Sequence, residues 1–155
     1  MASTDDPLRA LNDWAAPLLT ALSRTQVRQL ARKLGQELRR SQSARIARQR
    51  EPDGTPYTPR KPQRRIKPPS GRIRKQLMFS KLRMARHLKV IPTSDGVDVG
   101  FVGRDGTIAT VHQLGLVDAV TPSGPRVRYP QRTLLGLTPE DRKMIETLLL
   151  DHLTQ

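Results

Sequence analysis

Leu88-Lys89-Val90-Ile91-Pro92, then Thr93-Ser94-Asp95-Gly96, then Val97-Asp98-Val99-Gly100-Phe101, is the stretch on which the fold turns. Leu88, Val90 and Pro92 alternate with their neighbours, and so do Val97, Val99 and Phe101. A period of two on both sides of a Ser-Asp-Gly turn is the pattern of a β-hairpin. Beyond Gly103-Arg104-Asp105-Gly106, the run Ile108, Thr110, Val111 predicts a third strand. Gly100, Gly103 and Gly106, spaced by three, read as turn residues with no helix opening behind them.

Outward from this hairpin the periodicity changes. Downstream, Thr138-Pro139-Glu140-Asp141 combines a capping residue, a proline at the first helical position and two acids in the first turn. Ile145, Leu148, Leu149 and Leu153 then predict a closing amphipathic helix. Upstream, Ile73, Leu77, Met78 and Leu82 predict a short helix over 73–84. At the N-terminus, Asp5-Asp6-Pro7 starts a helix whose apolar stripe is Leu8, Leu11, Ala15, Leu18 and Leu22, with Trp14 beside it. Pro17 should kink or break that helix. Ser23-Arg24-Thr25-Gln26 is a capping box for a second helix with Val27, Leu30, Ala31, Leu34 and Leu38 on its buried face. Arg24, Arg28, Arg32 and Arg39 lie largely opposite, and the pattern fades through 41–50.

Between these parts, residues 52–72 carry Pro52, Pro56, Pro59, Pro62, Pro68 and Pro69, threaded with Arg60, Lys61, Arg64, Arg65 and Lys67. Proline on this scale forbids helix and central strand, so a long exposed loop is expected, mobile until an acidic partner holds it. The fold class is therefore α+β. A helical hairpin over 1–51 and a basic proline-rich loop over 52–72 precede a core over 73–155. That core is a small antiparallel sheet carrying helices on one face, the C-terminal helix among them.

Composition narrows the function. The 155 residues hold 28 Lys and Arg against 14 Asp and Glu, a net charge of +14. Residues 54–94 contain twelve basic residues and no acid, whereas 95–155 contain six basic and eight acidic. Such a charge draws the chain to nucleic acid, anionic lipid or an acidic protein face. Hydrophobic residues are only 35%, with five aromatics, so the core is modest and a neighbouring subunit would add useful burial. With no cysteine, disulfides and thiolate metal sites are excluded. The first residues lack the basic and apolar regions of a secretory signal, and no apolar run approaches a membrane span. A reducing cytoplasm, or a particle assembled there, is the expected setting.

A catalytic site needs converging titratable groups, and the sequence does not supply them. His87, His112 and His152 are scattered, and the close acid pairs Asp5-Asp6 and Glu140-Asp141 both sit at helix starts, where they compensate the helix dipole. No HExxH, phosphate-binding glycine loop or nucleophile elbow occurs. A non-enzymatic protein without cofactor or metal is expected. A basic helix and a basic loop could each track phosphates, so DNA packaging or compaction is the alternative.

Ile108-Ala109-Thr110-Val111-His112-Gln113-Leu114-Gly115, followed by Tyr129-Pro130-Gln131-Arg132-Thr133-Leu134-Leu135-Gly136-Leu137, resembles two segments of the virion-morphogenesis, or tail-completion, family of contractile-tailed bacteriophages. Pro52-Asp53-Gly54-Thr55-Pro56-Tyr57 resembles the family's "PDGxxW" stretch, and Leu30 to Gln42 its second helix. Thr133 stands where the family usually has proline, and Tyr57 where it often has tryptophan. The resemblance implies a structural virion protein that completes the head-proximal end of a tail, assembled in the host cytoplasm. Related tail terminators act as rings, commonly hexamers, on a small α+β fold. Tail-tube and neck or connector proteins would be partners, with DNA crossing the neck as a further contact and no membrane. In that setting Arg60, Lys61, Arg64, Arg65 and Lys67 are the candidates for partner contact. His112 and Gln113, placed at a strand end, would order the following loop or bond across subunits. Arg132 would dock the chain before the last helix by capping carbonyls or pairing with an acid.

Overall fold

The computed structural model describes residues 6–61 and 77–155. Four helices and four short strands follow in the order α1 (Pro7–Leu19), α2 (Arg24–Ala47), β1 (Lys89–Pro92), β2 (Val97–Gly100), α3 (Gly103–Leu114), β3 (Val117–Ala119), β4 (Arg126–Arg128) and α4 (Pro139–Leu153). The α+β class holds. The strands, however, form two separate antiparallel ribbons, β1–β2 and β3–β4, in place of one sheet.

The caps explain where the long helices begin. Asp6 accepts from the Leu8 N–H ahead of Pro7, and Ser23 and Gln26 close a reciprocal capping box on α2. Thr138 and Asp141 do the same for α4. Pro17 does not split α1 in two: it falls in the last turn, where it forfeits a single i→i−4 bond, and the helix runs on to Leu19. Helix α2 does not fade at residue 41 but continues to Ala47, because Gln42, Arg45 and Ile46 carry its buried face onward.

Helix α2 is the spine: β1, β2 and α4 pack on it, and α1 packs on α4. Contact with the β1–β2 ribbon is close because Gly35 faces it. A Cβ there would lie 2.7 Å from Val90 Cγ1 and 2.8 Å from Val97 Cγ2. The ribbon register pairs Val90 with Val99 and Pro92 with Val97, so those four share the face turned to α2. The main cluster joins Ile46, Tyr57, Met78, Leu82, Ala109 and Leu134, with Phe79 and Phe101 packed against it.

Two further expectations are corrected. The run Ile108–Val111 is helical, the middle of α3, although Ile, Thr and Val favour strands. Gly103 opens that helix at φ 58 and Gly115 ends it in the left-handed conformation, donating to the Val111 carbonyl. Burial of Ala109 and Val111 overrides the local preference. The glycines at 103 and 106 thus belong to the start of a helix. The part of the expected 73–84 helix that is described, residues 77–84, is a series of turns. Phe79 takes a positive φ of 62, which stops a helix but turns its ring into the core against Tyr57 and His112. Residues 73–76 lie outside the described residues.

Candidate functional site: exposed cations beside a buried polar frame

The end of α2 sets the chain on either side of residues 62–76, which themselves lie outside the described residues. Gln49, the residue after the C-cap, adopts φ 57, and its carbonyl accepts from the Tyr57 N–H at 2.8 Å. Its side-chain amide then behaves like a second strand. Oε1 accepts from the Met78 N–H (2.9 Å), and Nε2 donates to the Met78 carbonyl (2.9 Å) and the Ile46 carbonyl (2.7 Å). Tyr57 and Met78, twenty-one positions apart in the chain, are therefore fastened to one residue. The Tyr57 and Phe79 rings, 5.9 Å apart edge to face, seal the same junction.

The frame below is built from polar side chains that replace backbone partners. Arg45, only 4% exposed, donates to the carbonyls of Arg50 (3.1 Å), Thr133 (3.0 Å) and Leu134 (2.8 Å) and to Gln42 Oε1 (2.5 Å). It forms no ion pair among the described residues. Its charge is balanced by carbonyl dipoles, an arrangement that leaves those carbonyls dependent on it. Gln42 passes the network on: Oε1 also accepts from the Gly136 N–H (3.1 Å), and Nε2 donates to Asp141 (3.3 Å). Asp141, besides capping α4, accepts from Ser41.

His112 and Gln113 sit in the last turn of α3, not at a strand end. Gln113 Oε1 accepts from the N–H groups of Leu134 (2.8 Å) and Leu135 (3.0 Å), while Nε2 donates to the Leu135 carbonyl (2.9 Å). The His112 carbonyl accepts from the Arg132 N–H, and its ring is stacked edgewise between Phe79 and Tyr129. Burial, then the neighbouring charges of Arg132 and Arg60, hold the ring neutral, with a pKa lowered to about 4. Arg132 is buried too, donating to the carbonyls of Thr58 (2.7 Å) and Pro59 (3.1 Å). It thereby grips the chain just before Arg60 and Lys61.

Arg60 and Lys61 are exposed. Arg64, Arg65 and Lys67 lie outside the described residues. The structure thus brings His112, Gln113 and Arg132 together around residues 131–136, with Arg60 near enough for its charge to act on His112 and Arg132. Sequence reading missed Gln42, Arg45 and Gln49, and gave Asp141 only its place at a helix start. The signal was present: Gln42, Arg45 and Gln49 continue the helical register of Leu30, Leu34 and Leu38, so polar residues in step with a core stripe marked a buried network. Among the described residues no group of three His, Asp or Glu is arranged to hold a metal ion. No helix there is long and apolar enough to cross a membrane.

A small α+β chain whose buried polar side chains are committed to holding its own backbone has the makings of a structural protein. The sequence profile of the phage virion morphogenesis family matches residues 6–154, and the chain belongs to that family. It is 38% identical over 146 residues to tail completion protein S of Escherichia phage P2, an alignment that covers 94% of this chain and 96% of that protein. No solved structure matches it.

Proposed function

We propose that this chain is a structural virion protein that completes the head-proximal end of a phage tail and supports head–tail joining, acting without catalysis as a ring of copies. The observation that carries the reading is the identity of 38% along nearly the full length of both chains with a protein named for tail completion. The geometry is in keeping with it. Buried polar groups are spent on holding backbone, and the exposed cations Arg60 and Lys61 are presented from a braced base. Tail-tube and neck proteins are the partners this role requires, and the basic loop is the element offered to them.

The test is position in the particle. Gold-labelled protein should decorate tails at one end only, the end that receives the head. Label spread along the tube, or confined to the baseplate, would rule the reading out.

One feature favours a second contact, with DNA. Arg24, Arg28, Arg32 and Lys33 are exposed along α2, and none is ion-paired among the described residues. If packaging DNA were the main role, duplex binding should fall by orders of magnitude as salt rises, whereas attachment to tails should persist.

A further inference from the structure

Each ribbon has only two strands, and two-stranded ribbons are marginal on their own. Outside the pairing within each ribbon, no strand residue of either is joined to other backbone among the described residues, apart from turn bonds at the ribbon ends. Four edges are therefore available, and they are not alike.

Hydrogen-bond parity shows which groups each edge presents. Thr93 bonds Gly96, so in this register the backbone groups of Val90, Pro92, Val97 and Val99 point away from the ribbon. Tyr129 bonds Leu116 and Val120 bonds Pro125, so those of Val117, Ala119, Arg126 and Arg128 point outward from the other. The β1 edge is blunted by Pro92, which has no N–H. The β3 edge is blunted by Asp118, whose carboxylate accepts the outward Ala119 N–H at 2.8 Å. The edges of β2 and β4 carry no such device.

Those two open edges are complementary. Strand β4 reads Arg126-Val127-Arg128 with both arginines exposed, and β2 reads Val97-Asp98-Val99 with Asp98 exposed. We propose that β4 of one copy of this chain adds in parallel to β2 of the next, a contact that deepens, and rests on, the reading of the chain as a ring-former. Parallel addition follows from the parity. An antiparallel pairing sets outward residues opposite one another and so places Asp98 against Val127. In the parallel register, Val127 lies beside Val97 or Val99 on one face, and Asp98 beside Arg128 or Arg126 on the other. Because β2 and β4 are different surfaces, the contact is heterologous and repeats from copy to copy until a ring closes.

The test uses the full chain in sedimentation velocity over a concentration series, with Asp98→Lys as one variant and Arg126→Glu with Arg128→Glu as the other. Wild type should self-associate, and each variant alone should do so at least about tenfold more weakly. An equimolar mixture should recover wild-type association, since both contacts of an alternating assembly then pair opposite charges. Misfolded variants would not rescue each other. Wild-type-like association of both variants, or failure of the mixture to recover, overturns the edge pairing while leaving a ring built on another surface. A wild-type chain that stays monomeric to its solubility limit overturns it as well, and end-labelling of tails judges the tail-completion reading separately.

Discussion

Gln113 shows how a single side chain can hold a segment that has no sheet to join. Its amide satisfies two N–H groups and one carbonyl of residues 134–135, at a place where Leu134 is fully buried. Gln113→Leu keeps the volume and removes all three bonds. The expected loss is about 2–4 kcal/mol, read from urea unfolding, because part-buried backbone groups are left without partners. His112 makes a different prediction at the same scale. Its pKa in the folded protein is about 4, below the ordinary 6.5. Above pH ~6.5 the ring is neutral in both states and costs nothing. As pH falls toward 4 the unfolded chain takes up a proton that the folded chain refuses, so stability declines across that window and levels off below it. Allowing for partial exposure, the decline due to this ring should be about 1–2 kcal/mol. Unfolding midpoints at pH 7 and pH 4.5 check it: His112→Phe should shrink the difference between them, and an unchanged difference would assign the acid sensitivity elsewhere.

At the scale of elements, α2 lies against the β1–β2 ribbon only because residue 35 lacks a side chain. Gly35→Ala should gain roughly 1 kcal/mol of helix propensity. It must, however, displace Val90 and Val97, whose branched side chains are stiff at χ1. We expect a net loss of about 1–2 kcal/mol in thermal unfolding, and a larger one for Gly35→Leu. Legibility in the sequence divided along the same lines. Helices α1, α2 and α4 and the β1–β2 hairpin could be read because their signals are local: a cap, a proline at N1, a Ser-Asp-Gly turn. Helix α3 could not, since its β-branched residues argue for strand and only burial of Ala109 and Val111 decides otherwise. The short β3–β4 ribbon has three residues per strand, too few for alternation to register. The site was half legible. Arg132 and Gln113 stood out within family-like segments, but Arg45 and Gln42 fall where the apolar pattern fades, and only tertiary burial sets them apart.

For the whole molecule, the balance of charge and burial suggests a division of labour. The network of Arg45, Gln42, Gln113 and Arg132 is spent on holding backbone, while Arg60 and Lys61 stay exposed. Replacing Arg60 and Lys61 with serine should therefore leave the melting temperature within about 2 °C of wild type, as exposed substitutions usually do. The same change should cut the joining of heads to tails several-fold. Arg45→Met should act in the opposite sense, costing about 3 kcal/mol in unfolding by stranding three carbonyls. The central claim, completion of the tail, is tested most directly by adding the purified chain to tails assembled without it. Particles formed with mature heads are then counted by electron microscopy. Restoration of head–tail joining in proportion to added protein is the result expected. Tails that join heads equally well without the chain would contradict it.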